Sequence, residues 1–238
     1  MKRFVILAVM LGMVFGVSGL SLADMANDAK ETALKIHQVR SLMDHSMGMV
    51  TEGSGLVMVA RTKLAPPIDR FTEEKGMKLI KSGKELVQKT LAADEMMSMS
   101  NAGMKDDPTM VGINDLGKSI LEYIDIVEHL DMSGSVQSRI KTHNTHVMIN
   151  HAMDTAAEGA SLVLLGSMNL AGSLDKYTID NGRMMLIDAR ATLIDVADSE
   201  TMMEKDKAGM GDDPMMTQTR DLLKTALKII DLLEKMSM

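Results

Sequence analysis

The chain has no cysteine and no tryptophan, only three Phe and two Tyr, and just four Pro in 238 residues. Without cysteine there are no disulfides, thiolate metal sites, iron–sulfur clusters, c-type haem attachments, lipid-modified cysteines or thiol nucleophiles. Other signatures are missing as well: there is no HExxH, no G-x-S-x-G and no phosphate loop, and the glycines of EGSGL and KSGKEL match no nucleotide fingerprint. Nor is there a Glu-x-x-His pair of the kind carried by di-iron bundles, because Glu128 and His129 are adjacent and point apart on a helix. No catalytic constellation remains, and the expectation is a protein that is not an enzyme.

What is abundant is methionine, 27 residues, beside six His and an acid excess that gives a net charge of −7. At the N-terminus Lys2 and Arg3 precede the apolar run FVILAVMLGMVFGV, and Ser21-Leu22-Ala23 offers a small-residue cleavage site before Asp24. This pattern is that of a secretory signal peptide over residues 1–23; the competing reading is a retained anchor. Removal of Lys2 and Arg3 with the leader changes the charge from −7 to −9, which argues against nucleic acid and stable membrane association and suits an exported, periplasmic protein that attracts cations. The intact mass of secreted protein should therefore begin at Asp24; a mass that retains residues 1–23 would make the segment an anchor.

Sliding the chain against itself by 106 residues aligns 27–132 with 133–238 without a gap, with 30 identities. Three blocks carry most of them. MMSMSNAGMKDDPTM (96–110) matches MMEKDKAGMGDDPMM (202–216); His37, His45, Met47, Glu52 and Gly53 match His143, His151, Met153, Glu158 and Gly159; Asp125, Glu128 and Met132 match Asp231, Glu234 and Met238. Residues 77–95 and 183–201 share nothing. The expected organisation is a leader (1–23), a first helical repeat (24–132) and a second (133–238).

Each repeat reads as three helices. Val39, Leu42, Met43, Val50, Val57 and Leu64 make an apolar stripe over about 28–64, closed by Pro66-Pro67. Asp69 is the expected N-cap of a second helix that ends near Gly103, and Asp106-Asp107-Pro108 opens a third with the stripe Leu116, Ile120, Tyr123, Val127 and Leu130. Leu222, Ala226, Ile229, Leu233 and Met236 repeat that stripe. Gly48, Gly53 and Gly55 are the places where the first helix would break, giving four helices per repeat. No segment alternates with period two, so the expected fold is all-α, a tandem duplication of an antiparallel helical bundle unit with six helices in one bundle or in two.

Met43, Met58, Met148 and Met185 read as core filling. By contrast Met97, Met99, Met104, Met110, Met203, Met210, Met215 and Met216 lie among Ser, Asn, Lys and Asp, where burial does not account for them. A thioether is a soft neutral ligand that selects Cu(I) or Ag(I). In antiparallel helices His37 falls about 15 Å and Met96 and Met97 about 8 Å above the turn that holds Met104 and Met110. His37 and His45 project about 160° and 120° from the stripe, so they are not expected in the core. All six His, including His129 on the back of the third helix, fall in predicted helices. If the back faces of the repeats meet, within one chain or in a homodimer, His37, His45 and Glu52 approach His143, His151 and Glu158.

The candidate metal ligands are therefore His37, His45, Met96, Met97, Met104 and Met110, with His143, His151, Met202, Met203, Met210 and Met216 in the second repeat. The expected function is binding or buffering of a soft metal, copper as Cu(I) first. Two alternatives are a structural or chaperone-like bundle whose methionines only pack, and a bundle that holds non-covalent haem between His and Met.

Overall fold

In the computed structural model the backbone is described over residues 22–100, 108–168, 172–206 and 214–237, and side chains over 34–96, 108–168, 172–201 and 215–237. Among these residues there are six helices and no strands: α1 (Leu22–Arg61), α2 (Pro66–Ser100), α3 (Pro108–Glu128), α4 (Val136–Ser167), α5 (Ser173–Asp206) and α6 (Pro214–Ser237). The ends of α1, α2 and the start of α3 recur 106 residues later in the ends of α4, α5 and the start of α6. Residues 1–21, which hold most of the expected signal peptide, and Gly103 and Asp106-Asp107 lie outside the described residues. No described helix is long and apolar enough to cross a membrane.

The tightest contacts are two hairpins, α1 with α2 and α4 with α5. Small residues set them. A Cβ on Gly53 would meet the Gly76 carbonyl oxygen at 2.7 Å, and one on Gly159 would meet that of Gly182, also at 2.7 Å. Backbones pack this closely only where no side chain intervenes, so Gly53 and Gly159 are seats for the neighbouring helix, not breaks. Gly48 and Gly55 likewise leave α1 continuous.

Between the hairpins α1 lies against α4, and α3 against α6. Asp44 meets Ser161, Thr51 meets Asp154 and Ser54 meets Asn150, so residue numbers rise on α1 as they fall on α4. Lys228 to Glu122, and Gln218 to the carbonyl of His129, give α3 and α6 the same antiparallel sense. Helices α2 and α5 flank this centre, α2 on α1 and α3, α5 on α4 and α6. All six helices contribute to one apolar core, with Val39, Met43, Ile80, Ile120, Ile149, Leu193 and Ile229 buried together.

Several side chains depart from the expected stripes. Leu42 and Leu64 are exposed, because the buried row on α1 runs through Val39, Met43, Met47, Val50 and Val57, one or two turns apart, and Leu64 lies past the helix end. Met148 is exposed and Met185 only half-buried, whereas Met43 and Met58 are in the core. Asp69 is not the N-cap: α2 starts at Pro66, and Asp69 in its first turn accepts the Ala65 N–H at 3.1 Å. His129 sits just beyond α3.

Candidate metal site

Antiparallel packing decides which of the candidate ligands can meet. Asp94 lies at the far end of α2, and the Gly53–Gly76 and Ser46–Gly83 contacts put it level with the start of the described part of α1, near His37. In the second hairpin Thr145 donates to Glu200 at 2.8 Å, which puts Glu200 level with the turn of α4 that carries His143. Asp94 and Glu200 are 106 residues apart, and so are His37 and His143. These four carry buried polar atoms without a hydrogen-bond partner among the described residues: His37 Nδ1, Asp94 Oδ1, His143 Nδ1 and Glu200 Oε2. Buried atoms of this kind are rare, because each forfeits its interaction with water for nothing. They gather at the end of each hairpin to which the methionine-rich turn is attached.

The two ends differ in charge. Between α2 and α3 an open cleft of about 700 Å³ is lined by Asp94, Glu95, Met110, Asn114, Asp115 and Lys118 among others. Asp94 forms its floor, nearly fully buried. Burial raises its carboxyl above the usual carboxylate range, and a hydrogen bond from Asn114 offsets part of that rise. The oxygen of the Asn114 amide has no partner among the described residues either. Beneath the surface of the cleft lie one carboxylate oxygen, one amide oxygen and the methionine Met110, all buried. At the equivalent of Asn114 the second half has Arg220, a fixed cation that disfavours a metal ion beside Glu200.

His146 occupies the neighbouring position in the second half. It is fully buried, with Nε2 3.1 Å from the Thr219 hydroxyl. That hydroxyl donates to the Met215 carbonyl at 2.8 Å, so the ring nitrogen facing it has to donate when the hydroxyl bond to Met215 is kept. Burial, with His143 adding a smaller repulsion, pushes its pKa down to about 3. His143, half-buried, is lowered by burial too. Both imidazoles are neutral at pH 7, the state in which histidine binds metal.

The other candidates fall in different places. His45, His151 and Glu52 are exposed, and Met96 is 65% exposed two residues past Asp94. Met110 is buried, and so is Met215, so burial does account for these two; Met216, the counterpart of Met110, is half-buried. The side chains of Met97, Met104, Met202, Met203 and Met210 lie outside the described residues.

Helices α1 and α4 do meet, but head to tail and through the face of Asp44, Thr51 and Ser54, not through the back faces, where His45, Glu52, His151 and Glu158 stay exposed. His37 and His143 are therefore at opposite ends of the pair, roughly 37 Å apart along the axis, and His45 and His151 are offset by about 14 Å. Within one chain this direction rules out a shared His37–His143 or His45–His151 site. What lies at the interface is a set of polar bridges. Thr51 donates to Asp154 and Ser161 donates to Asp44 at 2.8 Å, while Tyr123 of α3 donates to Asn150 of α4 at 2.5 Å. Desolvation raises both Asp44 and Asp154.

Among the described residues no three His, Asp or Glu side chains converge on a point that would hold an ion. Asp94, Asn114, Glu200 and His146 are the positions that identity between the halves does not reveal. Asp94 and Glu200 both bear a carboxylate yet differ in length, so they fall inside the stretch where the halves share no residue.

No protein-family model, curated protein or solved structure matches this chain. The fold and side chains define it as an all-α six-helix bundle with an acidic cleft beside its first methionine-rich turn.

Proposed function

We propose that the protein is an exported, periplasmic carrier or buffer of a soft metal ion, Cu(I) or Ag(I), and that its main site lies at the cleft end of the first half. The observation that carries this reading is Asp94: a nearly buried carboxylate with an unpartnered oxygen, on the floor of an acidic cleft that also holds Met110, next to the sequence block richest in thioethers. A site here draws on the methionines that flank Asp94 in sequence and line the cleft, and thioethers favour Cu(I) over Zn or Mg. Asp94 supplies the charge, Asn114 an oxygen, and Met96, Met97, Met104 and Met110 are the available soft ligands.

The same reading covers the architecture. The chain is a fused pair of three-helix units packed about a pseudo-twofold axis. Support comes from the helix ends that recur at 106 residues and from Glu122 and Lys228, equivalent positions that face each other across α3 and α6. The first unit carries a cleft suited to a cation, and the second has Arg220 at the place of Asn114.

Asp94→Asn separates this from a purely structural role. In the apo protein at neutral pH, removing a desolvated carboxylate should leave stability unchanged or improve it. Cu(I) affinity, measured by competition with a chromophoric chelator under reducing conditions, should fall at least tenfold. Since metal competes with protons for a carboxyl whose pKa is raised, the parent's affinity should also drop as pH is lowered, more steeply than that of Asp94→Asn. Equal affinity in the two proteins at pH 7 would remove Asp94 from the site.

A further inference from the structure

Helix α5 carries an apolar row that the molecule itself does not cover. Tyr177, Met184, Ile187 and Ile194 are 67, 56, 62 and 47% exposed, and Ala191 between the last two is exposed as well. Numbering Tyr177 as a heptad position a places Met184 and Ala191 at a, and Ile187 and Ile194 at d, the spacing of a two-stranded coiled coil. The opposite side of α5, through Gly182, Leu186, Ala189, Leu193 and Val196, is the one buried in the bundle.

The first half supplies an internal control. At the positions of α2 that match Met184, Ile187, Ala191 and Ile194 stand Lys78, Lys81, Glu85 and Gln88, all exposed. Phe71, the counterpart of Tyr177, is exposed too, but beyond it this flanking helix folds with a polar outer face, so packing within the chain does not call for the apolar row Met184–Ile194 on α5.

The charges beside the row choose the occupant. Arg183 and Arg190 are at the two g positions, and Asp188 and Asp195 are at the e positions that follow each of them by five residues. When two copies of α5 run parallel, g of one strand faces the following e of the other, which sets Arg183 against Asp188 and Arg190 against Asp195, twice over. When they run antiparallel, g faces g and e faces e, and every pair is of like charge. Arg190 also pairs with Asp231 and Glu234 of α6 within the chain, at 3.2 and 3.1 Å, so Arg183 is the freer of the two to reach a second copy.

We propose that two copies of this chain associate through α5 as a short, parallel, in-register coiled coil. Asp180, at the d position between Tyr177 and Met184, puts a carboxylate on the seam and confines tight packing to Met184–Ile194. The whole row spans only about 26 Å, well short of a permanent interface, so the dimer dissociates on dilution. This inference is independent of the metal site.

The absence of cysteine makes the test clean, because any engineered thiol reports without background. Met184→Cys and Ile194→Cys, made separately in the full exported chain, should each form a disulfide with its own copy on mild oxidation. Lys81→Cys on α2 should stay monomeric. Sedimentation should show a concentration-dependent dimer for the parent and a monomer for Ile187→Glu with unchanged helicity. Arg183→Glu should weaken the dimer about tenfold, and the double variant Arg183→Glu, Asp188→Arg should recover most of the loss. Disulfides that appear only when Met184→Cys and Ile194→Cys are mixed would overturn the parallel sense. A parent that is monomeric at every concentration, with cross-linking no greater than that of Lys81→Cys, would overturn the interface, as would a dimer indifferent to Ile187→Glu, which would show that the copies meet elsewhere.

Discussion

Gly182→Val should leave little folded protein at 25 °C, and even Gly182→Ala should lose several kcal/mol by chemical denaturation. The new Cβ would lie 2.4 Å from the carbonyl oxygen of Gly159 and 2.9 Å from the Val163 nitrogen. Both obstacles are backbone, so relief requires the α4–α5 hairpin to part along its length. Overpacking of a tight core typically costs about 1–3 kcal/mol, and a contact this short against backbone belongs at or beyond the upper end. Gly53→Ala in the first hairpin should behave similarly, with the Gly76 carbonyl at 2.7 Å. Gly48→Ala is the counter-test on the same helix. Nothing lies within 4 Å of its added Cβ, and a helix-interior glycine costs about 0.5–1 kcal/mol relative to alanine, so this variant should gain roughly that amount. Equal effects at Gly48 and Gly182 would mean that the hairpins do not pack through their glycines.

The second large effect is on acid stability. The folded pKa of His146 is depressed to about 3, below the ordinary 6.5, so the unfolded chain takes up this proton first. The contribution of a neutral His146 is present in full above pH 6.5 and is lost as pH falls from there toward 3. Over that interval the loss reaches about 5 kcal/mol if the site does not open. Burial is the main cause, and the neighbouring His143 adds to it. Asp44, Asp94 and Asp154 work in the opposite direction: their raised folded pKa values favour the fold as they protonate, which partly masks the histidine in the parent. Comparison with His146→Leu isolates it. The variant should lose the Thr219 contact at neutral pH yet become relatively more stable than the parent with each step below pH 6. Parallel stability profiles for the two proteins down to pH 4 would place His146 in contact with water.

Much of the fold was legible from the sequence because helices leave a period of 3.6 and turns leave Pro and Gly. The stripe Leu116, Ile120, Tyr123, Val127 and Leu130 is buried throughout, and α3 begins at Pro108. Less legible were the residues whose roles depend on how helices cross. Gly53 looks like a helix breaker in a linear reading and turns out, like Gly159, to be a contact point, a role fixed by Gly76 and Gly182 in another helix. The direction in which α1 meets α4 has no local signature, so sequence alone brought His37 toward His143 when they lie at opposite ends. For the candidate site, the match between halves led to the methionine block but not to Asp94, because substitution of Asp by Glu conserves charge and erases identity. His146 escaped for a related reason: its counterpart is Arg40, which reaches instead to the Met236 carbonyl and Ser237 at 2.9 and 3.0 Å.

The central claim is that thioethers beside Asp94 hold a soft cation, and one comparison tests it most directly. Met96, Met97, Met104 and Met110 are replaced together by Leu, a swap that keeps apolarity and approximate volume and typically costs less than about 1.5 kcal/mol per site. Cu(I) affinity is then read by chelator competition under reducing conditions, with helicity and thermal stability recorded without metal. The expected result is a protein close to the parent in its apo state that has lost its tight Cu(I) site. A quadruple variant that holds Cu(I) as firmly as the parent would contradict the account, and the methionines would then be packing residues only.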